Sequence, residues 1–99
     1  MNALLLGQTV KYKIEVTSQT FDWNDDDISV VMSTNYGKSK EYGKGDLIYD
    51  GEDYFLMFDT NDVGYGTLTC SVITKEVDES YESGFKVDKT SAVIAHIYK

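Results

Sequence analysis

The segment from Asp46 to Lys86, DLIYDGEDYFLMFDTNDVGYGTLTCSVITKEVDESYESGFK, constrains the fold more than any other. An Asp-Gly pair, Asp50-Gly51, stands between the apolar runs Leu47–Tyr49 and Tyr54–Asp59. This is the strongest short hairpin signal, because both central turn positions favour left-handed backbone angles that few residue types tolerate. A Gly-bracketed corner, Asn61–Gly66, follows. Thr67–Thr74 then alternates, with Leu68, Cys70 and Val72 inward and Thr67, Thr69 and Ser71 outward. Successive side chains of a strand point to opposite faces, so a period of two marks β structure. The second hairpin arm is apolar on both faces over Tyr54–Phe58. It is either a central strand covered on both sides or a strand with one face against another subunit.

The rest of the chain fits the same class. Val10, Tyr12, Ile14 and Val16 alternate with Lys11, Lys13, Glu15 and Thr17. A helix would need apolar spacings of three to four. Phe21–Asp27 is a corner, since Asp and Asn close local turns with their own side chains; Phe21 and Trp23 plug the end of the core. Ile28–Thr34 reads as a strand, Asn35–Lys38 as a turn and Ser39–Tyr42 as a strand broken by Gly43-Lys44-Gly45. Glu76–Gly84 reads as an exposed acidic loop, Phe85–Asp88 as a short extended piece and Ser91–Tyr98 as the last strand. Ala3–Leu6 fits an edge strand or an arm packed on the core better than an arm docked on a neighbour, and residues 1–8 are a candidate N-terminal arm. The expected fold is all-β: a single domain over 1–99, an antiparallel two-sheet Ig-like sandwich of about seven strands with turn signals every eight to twelve residues.

Composition narrows the function. The chain has 99 residues and a formal charge of −8, which disfavours nucleic acid and anionic membrane surfaces. The opening MNALLLGQTV has a short apolar run and no basic flank, unlike a signal peptide or a bilayer span. One cysteine, Cys70, permits no intrachain disulfide, so the chain needs no oxidising compartment and is expected to be made and assembled in a cytoplasm.

Few residues carry chemistry. His96, the only histidine, has no local partner for a nucleophile pair or a metal site, and Cys70 falls at an inward position where a small hydrophobe fits. Asp22, Asn24 and Asp26 match the first half of a calcium loop. Asp27 then replaces the required Gly and Ser33 the bidentate Glu, so an EF-hand is excluded. A looser calcium site on a sandwich corner is the weaker reading beside a solvated turn. The paired acids Asp25/Asp27, Glu52/Asp53 and Asp78/Glu79 lie in acid-rich turns and not across a cleft of the glycosidase kind. No cofactor motif is found. Tyrosine, at eight residues, suits interfaces as well as strands. Tyr36, Tyr65 and Tyr81 lie in turns, where strand preference does not explain them, and with Phe55 and Met57 they are the candidate protein-interface residues.

Asp59-Thr60 with Gly64-Tyr65-Gly66, the acidic run Asp78–Lys86, Phe21-Asp22-Trp23 and Asn35-Tyr36-Gly37 together form a pattern. It resembles the small Ig-like virion domains of tailed phages and prophages. It is most similar to the amino-terminal domain family of phage baseplate upper proteins and to related proteins of phages of Bacteroides-type hosts. Val77 stands where that family has Pro, and the basic residue Lys86 comes one position late. The resemblance implies a non-enzymatic structural protein of the virion, a homo-oligomeric adaptor or decoration that links capsid or tail to a head or tail fibre through other virion proteins. The rival class is a carbohydrate- or cell-surface-binding module, which would present a line of exposed aromatics on a concave sheet.

Overall fold

The computed structural model describes residues 2–99. The chain forms eight strands: β1 (Asn2–Leu5), β2 (Thr9–Ile14), β3 (Asp27–Thr34), β4 (Ser39–Gly43), β5 (Leu47–Asp50), β6 (Asp53–Asp59), β7 (Gly66–Val77) and β8 (Phe85–Tyr98). Two short 3₁₀ turns, Lys44–Asp46 and Thr60–Asp62, are the only helical pieces among the described residues. The strands make a five-stranded sheet, ordered β1-β8-β7-β3-β4, and a three-stranded sheet, ordered β2-β6-β5. Every pairing is antiparallel except β1 with β8, which is parallel. The fold is therefore all-β, mostly antiparallel and sandwich-like.

Alternation sets what lies between the sheets. Ile28, Val30 and Met32 on β3, Leu68 and Cys70 on β7, and Ala95 and Ile97 on β8 face Ile14 on β2 and Leu56 and Phe58 on β6. Full burial of a large aliphatic side chain stabilises by roughly 1.5–3 kcal/mol, so this one cluster supplies the main cohesion. Tyr42 also joins it, and its hydroxyl is buried without a hydrogen-bond partner. Burial pushes that phenol up to about 12, with the Asp62, Asp46 and Asp59 charges adding to the shift.

The β5–β6 hairpin forms where Asp50-Gly51 places it, closed by the Asp50–Asp53 pair. Gly51 takes φ +70°, but among the described residues none other than Gly has a positive φ, so one central turn position is left-handed and not both. Three expectations need correction. Glu76 does not lie in an exposed loop: β7 continues to Val77, and Glu76 faces inward at 5% exposure. Its carboxylate accepts hydrogen bonds from the Ser18 and Thr20 hydroxyls, which explains how a strand ending in an acid can stay paired and buried. Phe85–Asp88 and Ser91–Tyr98 are one strand of 14 residues, held by a long ladder to β7 with a bulge near Ile94. The strand read over Val10–Thr17, β2, ends at Ile14 and not at Thr17; Val16 still packs against the core.

The acidic corner is also more ordered than a solvated turn. Asp26 is buried, and its carboxylate accepts from the backbone amides of Asp22 (2.9 Å) and Val77 (3.0 Å), tying the corner to the end of β7. The Asp22 amide first, then the Val77 amide, hold the Asp26 carboxyl below its usual value of 3.8, and nearby Lys44 helps. A carboxylate depressed on folding contributes stability above the unfolded value that disappears as pH falls through the folded one. Stability should therefore decline as pH drops below about 4. Asp26→Asn should flatten that decline and lower stability at neutral pH, because the amide cannot accept from two backbone N–H groups on both of its heavy atoms. Thermal melts of both proteins between neutral pH and pH 2.5 measure it. Parallel pH profiles would contradict this role for Asp26.

Candidate functional site

The five interface candidates fall in three places. Tyr36, in the β3–β4 turn, and Tyr65, just before β7, meet as a stacked pair with ring centroids 5.7 Å apart and planes 27° from parallel. Phe55 and Met57 share the outer face of the three-stranded sheet, opposite Lys13 and Lys11 of β2 and beside Ile48 of β5. Lys11 Nζ sits 4.5 Å from the Phe55 ring centroid and pairs with Asp50 at 2.7 Å. That salt bridge and cation–π contact cover part of this face. The two-sided apolar character of β6 thus has a plain origin: Leu56 and Phe58 enter the core, while Phe55 and Met57 remain on the solvent side. Tyr81 stands apart, exposed in the Asp78–Gly84 turn between β7 and β8.

The Tyr36–Tyr65 pair is mounted on a densely hydrogen-bonded end of the molecule. Asp59 Oδ1 accepts from the Asn61 amide and starts the 3₁₀ turn. The wholly buried Thr60 donates its hydroxyl to the Leu5 carbonyl (2.8 Å) and accepts from the Gln8 amide (3.0 Å), which clamps the β1–β2 turn. Gly64 and Gly66 have φ of +85° and +124°, angles that L side chains rarely adopt. The Val63 carbonyl accepts from Thr34 Oγ1 (2.7 Å) and from the Lys38 amide (3.0 Å), and the Thr67 amide donates to Asn35 Oδ1 (2.7 Å). The D-T-x-x-x-G-x-G spacing is thus a structural lock between two turns, and its product is a rigid seat for two tyrosines.

Other exposed apolar side chains gather at the same end. Leu5 is register-paired with Tyr98, and the Leu6 amide donates to the Tyr98 carbonyl. Tyr36, Leu5 and Tyr98 are 70%, 63% and 53% exposed. Lys99 Nζ lies 4.4 Å from the Tyr65 ring centroid and His96 packs against Tyr98. Leu5, Leu6 and Tyr98 were not among the sequence candidates. The parallel β1–β8 pairing that brings them beside Tyr65 joins the two ends of the chain, and no local pattern encodes it.

The remaining candidates carry less. Cys70 is buried and burial pushes its thiol up to about 11, so it is protonated at neutral pH. His96 has Thr67 Oγ1 3.5 Å from Nδ1 and no acidic neighbour among its hydrogen-bond partners. Of the weak calcium candidates Asp22, Asn24 and Asp26, Asp22 Oδ1 accepts from the Asn24 amide and both Asp26 oxygens accept from backbone amides. Among the described residues, no group of three or more His, Cys, Asp or Glu is placed to hold a metal ion. Trp23 lies half-buried with its ring stacked on Tyr54 at 3.8 Å and 8°, and Phe21 packs edge-on to it at 5.1 Å.

Two openings complete the surface. An open groove of about 390 Å³ runs between β2 and β8, with Tyr12, Cys70 and Val72 in its lining and Thr90 and Ala92 on its far wall. Across the open groove from β2, Val87 through Val93 of β8 are exposed on both faces. No family model matches the chain, and no curated protein and no solved structure matches it. No helix among the described residues is long and apolar enough to cross a membrane.

Proposed function

We propose that this chain is a non-catalytic Ig-like docking module, and that it serves as a structural adaptor or decoration in the virion of a tailed phage or prophage. The observation that carries the docking reading is the rigid end bearing Tyr36, Tyr65, Tyr98, Leu5 and Leu6. Preordered aromatic side chains lose little entropy on contact, and clustered exposed apolar groups mark interaction sites. The strand order supports the Ig-like reading. The order β2-β6-β5 against β8-β7-β3-β4 coincides with the B-E-D and G-F-C-C′ sheets of that architecture, with β1 moved across to pair with β8. Cys70 then occupies an inward position on the F-type strand and Tyr12 lines the same space from the B-type strand, without the second cysteine of antibody domains. The virion context rests on the sequence resemblance. A protonated, buried Cys70 suits a packing role and not a nucleophile. For the sugar-binding rival, Trp23 is only partly free, since Tyr54 stacks on one face of its ring and Phe21 packs edge-on to it, while Tyr49 beside Tyr54 stays exposed.

The test replaces Tyr36 or, at the opposite end, Glu52 with a photo-crosslinking amino acid in the native phage-producing cell. Tyr36 should yield one defined adduct with a virion protein in purified particles, and Glu52 should not. Tyr36→Ser combined with Tyr65→Ser should leave the fold intact and reduce the chain retained on particles by at least about 30-fold, the loss of two hot-spot aromatics. Absence of the chain from particles would sink the virion reading. Unchanged retention of the double variant would sink the docking role of the tyrosines.

A further inference from the structure

We infer that the free edge of β8 is an isologous interface, at which a second copy of this chain adds its own β8 to continue the five-stranded sheet. The inference rests on reading the chain as a docking module, but it concerns a different surface and a different partner. β8 has one edge laddered to β7 along its length. Its other edge is covered by β1 only at Ala95–Tyr98. From Phe85 to Ile94, no other strand pairs with that edge among the described residues. A row of unpaired backbone donors and acceptors of this length is a template for another strand.

The ends of the gap select the register. At one end Asn2 already stands opposite Ala95. At the other, the chain turns away at Gly84, with φ +81°. A two-fold axis that continues a sheet keeps each face on its own side, so a residue can meet only one of the same parity. Six centres, Val87 to Ala92, then compete, and those on Ser91 and Ala92 leave Phe85–Val87 and Phe85–Lys89 bare. A pairing centred on Val87 uses only the start of the gap and leaves Thr90–Ile94 bare. One centred on Asp88 puts Asp on Asp, and one centred on Lys89 puts Lys on Lys, both unfavourable directly across a ladder. Centred on Thr90, the pairing fills Lys86–Ile94, stops at Asn2, and sets no like charges opposite. It places Val87 against Val93 of the second copy twice, Lys89 against Ser91 twice, and Thr90 on its own mate. Val–Val and Thr–Thr are favourable cross-strand pairs. Val87 and Val93, at 59% and 53% exposure, are the large apolar side chains that this register would cover. The charges at Asp88 and Lys89 thus guard the edge against slipped pairings while permitting one.

The test is the solution mass of the isolated protein by sedimentation equilibrium, with circular dichroism as the check on folding. Wild type should form a species of twice the 11.2 kDa chain mass. Val87→Glu with Val93→Glu sets Glu on Glu at both valine pairs and should weaken the dimer by about 30-fold or more. Val87→Glu with Val93→Lys sets Glu on Lys at the same two places and should restore it. Since both residues are solvent-exposed in one copy, each variant should keep the wild-type spectrum. A monomeric wild type at high concentration, or a dimer indifferent to the double Glu variant, would overturn the β8 pairing. Loss of the dimer in both variants would overturn the Thr90-centred register. A monomer that still crosslinks to virion protein through Tyr36 would leave the docking reading standing and remove only this one.

Discussion

Gly37→Ala is expected to destabilise the protein by about 3 kcal/mol, the sum of an overpacked site and a lost buried hydrogen bond. The backbone of Gly37 runs so close to the β6–β7 connection that a Cβ there would collide with the Val63 carbonyl oxygen and Thr34 Oγ1. Those two atoms are hydrogen-bonded to each other, with Thr34 nearly fully buried, so neither can withdraw without leaving the other unpaired. Backbone angle is not the cause, because Gly37 is not among the glycines with positive φ. The same substitution should separate the Tyr36 and Tyr65 rings, which sit on the two turns that this contact joins. Urea unfolding measures the stability loss, and near-ultraviolet circular dichroism reports the tyrosine environment. Gly45→Ala, where a Cβ meets nothing within 4 Å, is the control and should stay within about 0.5 kcal/mol of wild type. Equal effects at the two glycines would contradict the lock.

Leu56→Ala should cost about 3 kcal/mol and Met57→Ala less than about 0.5 kcal/mol, although the two are neighbours on one strand. Leu56 has no exposure at the centre of β6, between Tyr12 and Leu47 in the register, and its removal leaves a cavity that a paired strand cannot collapse around. Met57 is 48% exposed beside Lys11 on the outer face. Urea unfolding of both variants decides between two accounts of the apolar arm Tyr54–Phe58. If Met57→Ala were as damaging as Leu56→Ala in a dilute monomeric sample, the outer face would be core after all.

The strands and their inward residues were legible because period-two alternation is local. Ile14, Leu68 and Cys70 are buried in the core and Val10 and Tyr12 pack against it, as their spacing requires. The Asp50-Gly51 hairpin was legible for the same reason. Glu76 misled because an acid beside Asp78 and Glu79 looks solvated, whereas Ser18 and Thr20, far away in sequence, supply its hydrogen bonds. The sequence reads β8 as two pieces because Asp88, Lys89, Thr90 and Ser91 offer no apolar alternation. They offer none because the middle of that strand is exposed on both faces, with an open groove between it and β2. A polar run on both faces within a strand is itself the mark of an open edge, and it was the signal available for the surface missed. Tyr36 and Tyr65 stood out as turn tyrosines, but their stacking depends on contacts between Thr34 and Val63 that no single segment contains.

The most direct measurement of the docking reading is amide hydrogen exchange of the chain, free and in its native particle. The account predicts new protection in the particle at Asn35–Lys38, Val63–Thr67 and the Tyr98–Lys99 terminus, with the Gly51–Asp53 turn at the opposite end unchanged. Protection confined to the Gly51–Asp53 end, or identical exchange in the two states, would contradict it.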